Sequence, residues 1–121
     1  MCPNCDAAIP AKDIHSPAAR DVLAERQRQV EVEGWTAEHD DMYSHGELAI
    51  AAARYAQESA RENQLDSCPL PRPSPWPWPA KWWKPGAPRR MLVKAGALIL
   101  AEIERLDRAN LLAQQQEGGQ A

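Results

Sequence analysis

Eight of the chain's eleven prolines and four of its five tryptophans fall between residues 67 and 88. Proline at nearly every second position fixes φ and removes backbone donors, so neither a helix interior nor a central strand can run through this block. Regular structure must therefore lie on either side of an extended connection. The alternating Pro75-Trp76-Pro77-Trp78-Pro79 run draws that connection toward polyproline II. Four tryptophans argue that it is ordered, because disordered linkers are poor in aromatics. Trp82-Trp83 beside Lys84-Pro85-Gly86 predicts a turn anchored by aromatic packing.

Both flanks carry helical patterns. Ser16-Pro17 has the form of an N-cap followed by proline at the first helical position. Val22, Leu23, Arg26 and Val30 then recur on one side until Gly34, which predicts a helix over 17–33. Trp35 to Tyr43 shows neither helical nor alternating periodicity and is dense in Glu38, His39, Asp40 and Asp41, an ordered loop. Ser44-His45-Gly46-Glu47 fits a capping box that opens a second helix to about residue 62, with Leu48, Ala52, Tyr55 and Ala56 at helical spacing. A third helix reads from 89 to about 112, with Leu92, Ala95, Ile99, Ile103 and Leu106 on one stripe. Between Met91 and Ala101 its only charge is Lys94, so it needs burial on more than one side, which in so small a protein predicts a homo-oligomer.

A chain of 121 residues has room for one core, and its composition, 44% hydrophobic but only 6% aromatic, favours close-packed helices over a sheet. The expected architecture is all-α. It is a compact three-helix domain over 16–112, with a long ordered Pro/Trp-rich connection between the second and third helices. A Cys-containing extension over 1–15 precedes it, and a flexible tail over 113–121 follows. No apolar run reaches the roughly 20 residues a membrane span needs, and Met1 to Pro10 lacks the form of a signal peptide. The chain therefore reads as cytoplasmic, with no membrane partner. Three cysteines in that setting argue for reduced thiols or a metal site over a disulfide framework.

The net charge of -3 conceals strong segregation. Residues 1–66 hold six Lys/Arg against thirteen Asp/Glu, residues 67–101 six against none, and residues 102–121 two against four. A positive block between acidic helices suits a small anionic ligand, whereas long nucleic acid would be repelled by the rest of the surface. Within the block, Trp76, Trp78, Trp82 and Trp83 offer faces for stacking, joined by Trp35. Lys84, Arg89, Arg90 and Lys94, with Arg72 and Lys81, offer charge for phosphates. The plainer reading is that the tryptophans pin the connection to the helices and the basic residues solubilise it. Arg89 and Arg90 at a helix start oppose the helix dipole and call for an anion, either a ligand or an internal carboxylate such as Glu38, Asp40 or Asp41.

Other constellations are less complete. Glu38-His39-Asp40-Asp41 with His45 gathers potential metal ligands, and its His-Asp pair resembles metal-dependent phosphohydrolases. Those enzymes need a separate upstream His and a downstream Asp, roles left to His15 and Asp107. Glu104-Arg105-Leu106-Asp107 resembles the second carboxylate pair of all-α nucleotide pyrophosphohydrolases of the MazG type. The Glu-X-X-Glu pair that would complete a magnesium site is missing, since Glu58 and Glu62 are four apart. A hydrolase would draw on Asp40, Asp41, Glu47, Glu104 and Asp107. Cys2-Pro3-Asn4-Cys5 is half a zinc knuckle, which Cys68, His15 or a second chain would have to complete.

Glu25-Arg26-Gln27, Glu33-Gly34-Trp35-Thr36, Glu38-His39-Asp40-Asp41, Gly46-Glu47-Leu48 and Tyr55 form one pattern. It continues through Trp76-Pro77-Trp78, Trp82-Trp83-Lys84-Pro85, Arg89-Arg90, Leu92 to Ile99, and Ala101 to Asp107. Over about residues 20–108 this resembles a group of small phage and prophage proteins without an assigned activity. The order of Gly34-Trp35, acidic loop, Leu48-to-Tyr55 helix and Leu-rich later helix is also similar to ryanodine-receptor repeats. That likeness implies a helical module able to bind an adenine or ADP-ribose type ligand. Taken with the phage setting, it implies a non-catalytic sponge for a nucleotide-derived host immune signal. The second expectation is a small metal-dependent nucleotide hydrolase; the third is a module docking a host protein through its Pro/Trp segment.

Overall fold

The computed structural model describes residues 15–62 and 75–119. The zinc candidates Cys2, Cys5 and Cys68 lie outside them, as does Arg72. In chain order the elements are α1 (Pro17–Glu31), α2 (Ala37–Asp40), α3 (Glu47–Glu62), a 3-10 turn (Ala80–Trp82) and α4 (Pro88–Gly119). Among the described residues there is no strand, and no helix is long and apolar enough to cross a membrane.

Local chemistry sets the helix ends. The Ser16 hydroxyl accepts the Ala19 N–H at 3.1 Å, with Pro17 in the first turn, as the sequence pattern predicts. α1 stops at Glu31, two residues before the expected end, and Gly34 turns the chain at φ +75°. The Thr36 side chain then caps a further turn of helix, α2, inside the segment expected to be a loop. The capping box forms in altered shape. The Glu47 carboxylate receives the His45 N–H at 2.7 Å, and Gly46, at φ +83°, supplies the carbonyl that begins α3. α4 runs to Gly119, beyond the expected stop near residue 112, because Leu111 to Glu117 contains only helix-compatible residues and the first breakers are Gly118 and Gly119.

The core lies between α3 and α4. Leu48, Ala51, Ala52 and Tyr55 meet Met91, Ala95, Leu98 and Ala101, and Trp76, Trp78 and Trp83 of the Pro/Trp segment pack against this cluster. Alanine on both helices permits close approach. The fully buried Leu48, Met91 and Leu98 each contribute about 1.5–3 kcal/mol of apolar burial. The apolar stripe of α4 does not face this core as a whole. Ala95 is buried, but Leu92, Ile99, Ile103 and Leu106 are each about half exposed, because α3 takes the face of Met91, Leu98 and Ala101.

α1 packs on α4 by a different chemistry. Its buried residues are Glu25 and Gln29, whereas Leu23, expected on the inner side, is exposed. Gly96 admits α1 closely: a Cβ there would stand 3.1 Å from both methyls of Val22. Arg26 ties three helices together. Its Nη2 donates to the fully buried Asp40 of α2 and to Glu104 of α4, both at 3.0 Å, and Nη1 reaches the Trp35 carbonyl at 3.4 Å.

Candidate functional site

Trp35, His39 and Tyr43 are spaced by four, with His39 on the single turn of α2, Trp35 just before it and Tyr43 just after it. The Trp35 and His39 rings stack 5.8 Å apart and 8° from parallel, and Tyr43 meets His39 edge-on at 5.1 Å. The Pro/Trp segment supplies the facing wall: Trp78 lies 5.6 Å from Trp35 and 5.3 Å from Tyr43. With Glu33, Pro79 and Trp82 these rings enclose a cavity of about 320 Å³. That volume falls within the range of small-molecule sites, as does its make-up of aromatic walls with few polar groups. The Trp78 indole N–H is buried and has no hydrogen-bond partner.

The array continues away from the cavity and becomes structural. Trp76 contacts Trp78 at 5.3 Å and Trp83 at 4.9 Å, and Trp83 stacks on Tyr55 at 4.7 Å. The Arg54 guanidinium covers the Trp83 ring at 4.6 Å, and the Tyr55 hydroxyl accepts the Lys84 N–H at 3.2 Å. Trp76 donates its indole N–H to the Pro79 carbonyl at 3.2 Å. The four tryptophans of the segment therefore divide. Trp76 and Trp83 fasten the connection to α3, and Trp78 and Trp82 border the cavity.

Charge is distributed unevenly around this box. Lys81 and Lys84 hold their ammonium groups 5.4 and 5.8 Å from the Trp82 ring. A narrow crevice beside the box shares Glu33, Trp35 and Trp82 with it and reaches Arg28, Lys84 and Lys94. Lys94 donates to the Lys84 carbonyl at 2.8 Å, and burial, reinforced by the nearby Arg90 charge, pushes its ammonium below the ordinary lysine range. Glu33 accepts from Arg28 at 3.1 Å and presents the box's only carboxylate.

The remaining candidates are engaged elsewhere. Asp40 is held by Arg26 and by His39 Nδ1 at 3.1 Å, and Asp41 pairs with Arg108 at 2.8 Å. Arg89 pairs with Asp21 at 2.8 Å and Arg90 with Glu25 at 2.6 Å. The anion at the start of α4 is thus internal, supplied by α1 and not by the acidic segment. Glu25 is buried and takes both Arg28 and Arg90. Burial alone would raise its carboxyl, but hydrogen bonds and charge from Arg28 and Arg90 outweigh burial and hold it at about 2. Of the carboxylates a hydrolase would use, Asp40 and Glu104 share Arg26, Asp41 takes Arg108 and Glu47 caps α3. Among the described residues no three His, Cys, Asp or Glu side chains gather to hold a metal ion.

Glu33 and Tyr43 belong to the box but were not among the sequence candidates. The four-residue spacing of positions 35, 39 and 43 is the signal that places Tyr43 there; nothing local marks Glu33 beyond its place before Gly34-Trp35. The fold and the cavity together define a small helical protein with an aromatic-walled cavity. Compared with family models, curated proteins and solved structures, the chain has no match.

Proposed function

We propose that this chain is a non-catalytic binder of a nucleotide-derived anionic ligand, with the base held in the box of Trp35, His39, Tyr43, Trp78 and Trp82. The observation that carries this reading is a cavity of about 320 Å³ walled by five aromatic rings with one carboxylate, Glu33, at its edge. A flat heteroaromatic ring is the chemistry such walls accept, since base stacking is worth about 1–3 kcal/mol per ring. Glu33 accepts from a ring N–H or exocyclic amine, which a purely apolar ligand lacks. The Lys81 and Lys84 ammonium groups beside the Trp82 ring then pair with the phosphates. The likeness to phage and prophage proteins supplies the setting, a sponge that holds a host immune signal such as a cyclic nucleotide or cyclic ADP-ribose relative.

The test is incubation of the purified protein with mono-, cyclic and ADP-ribose-derived nucleotides, followed by mass spectrometry of the filtrate and of the heat-released fraction. A nucleotide depleted from the filtrate and recovered intact supports the proposal. Trp82→Ala should then weaken its capture roughly 10- to 100-fold. Trp82 lies outside the core cluster, so helix content should be unchanged. A chemically converted nucleotide makes the protein an enzyme, and an untouched panel overturns nucleotide binding altogether.

A further inference from the structure

α4 is packed on two sides and open on a third. α3 covers the face of Met91, Ala95, Leu98 and Ala101, and α1 closes on Gly96. Between them runs an exposed strip of Leu92, Ile99, Ile103, Leu106 and Asn110. Leu92, Ile99, Ile103 and Leu106 are 50, 49, 48 and 52% exposed, far more than core positions tolerate. Their spacing of four and three is that of a coiled-coil seam, which takes another helix of the same pattern. Beside the ridge of Ile99 and Ile103, Ala49, Ala53 and Ala56 of α3 line a mainly apolar trough of about 230 Å³, whose one charged wall residue, Glu102, is neutralised by Arg105. Ridge and trough on one face are what a self-complementary, isologous contact requires.

The strip is also symmetric about its own centre. Leu92 and Leu106 stand seven residues to either side of Ile99. Charge obeys the same centre. Arg89 and Asp107 are eighteen residues apart, five whole turns at about 3.6 residues each, so they share one edge of the strip. Arg89 is 62% exposed in its pair with Asp21, and Asp107 has no ion-pair partner among the described residues. In a two-fold antiparallel pair each edge meets itself reversed.

We infer that the occupant of this strip is a second copy of the chain, its α4 packed antiparallel with the two-fold axis at Ile99. Leu92 then meets the partner's Leu106, Ile99 packs on the partner's Ile99, and Arg89 stands opposite the partner's Asp107. A parallel pair would instead set Arg89, Arg90 and Lys94 level with the same three charges. Antiparallel packing keeps these basic ends apart, and the aromatic box lies off the seam, so both copies keep it open.

Sedimentation equilibrium from low to high micromolar concentration tests this, with Ile99→Cys oxidised and peptide-mapped under non-reducing conditions. The expected result is a dimer, with a disulfide joining position 99 of one copy to position 99 of the other. Ile99→Glu, at a half-exposed position that tolerates the charge in the monomer, should weaken it roughly 30-fold or more. Arg89→Asp or Asp107→Arg alone should weaken it several-fold, and the two swaps together in one chain should restore it. A wild-type monomer throughout, a dimer indifferent to Ile99→Glu, a failure of the substituted position 99 to cross-link to itself, or a double swap no better than the single ones would each overturn the inference.

Discussion

Replacing Glu25 by Gln removes a charge from a buried, doubly ion-paired site while keeping the shape of the side chain. Glu25 is 1% exposed and accepts from Arg28 at 2.8 Å, Arg90 at 2.6 Å and Gln29 at 3.1 Å, joining α1 to the start of α4. Its carboxyl is held at about 2 against an ordinary value of 4.5, a difference of about 2.5. At 1.36 kcal/mol per unit this corresponds to about 3 kcal/mol of stability near neutral pH. Both guanidinium partners are more than a third exposed, so solvent screening reduces the expected loss to about 1.5 kcal/mol. The sign follows from linkage. A carboxyl with a lower pKa in the folded chain stabilises it fully above 4.5, and that contribution is lost as pH falls through about 2. Urea unfolding of wild type and Glu25→Gln should therefore differ by about 1.5 kcal/mol near pH 7, and the difference should close progressively between pH 4.5 and 2. A difference of the same size at both ends of that range would refute an electrostatic role and leave packing as the cause.

Two further outcomes separate structure from ligand binding and define the α1 contact. Asp40→Ala takes from Arg26 the buried one of its two carboxylate partners, leaving the half-exposed Glu104, and should destabilise the chain by about 1–3 kcal/mol in thermal unfolding, even with no ligand present. Gly96→Ala adds a methyl 3.1 Å from Val22, so crowding outweighs the gain in helix propensity and stability falls by about 1 kcal/mol. In a Val22→Ala background the same change should become stabilising by about 0.5–1 kcal/mol, which a four-way denaturation cycle measures.

Patterns local to the backbone were legible in the sequence. Ser16-Pro17 opens α1, α3 runs to Glu62, and the proline block excludes long regular elements within its described part. The tryptophans of that block are ordered against the helices, with Trp76 and Trp83 matching the plainer reading that they fasten it down. The site was legible only in pieces. Trp35, His39, Trp78 and Trp82 could be named, but their union with Tyr43 depends on one unforeseen turn of helix.

Periodicity, capping and proline chemistry act within a few residues, and so the sequence by itself determined that the chain is helical, where its three long helices begin and where they cannot go. Which side of each helix is buried was a tertiary decision. The apolar stripe of α4 has the right period for a core face, yet α3 chose the alanine-lined face beside it, because small residues let the two axes approach. The same holds for charge. Composition revealed an acid-free block next to acidic helices, but only the packing of α1 on α4 assigned Asp21 and Glu25 to Arg89 and Arg90, leaving Lys84 and Lys94 beside the aromatic box. Pairings across many residues of chain depend on where the helices come to rest, and no local spacing encodes that.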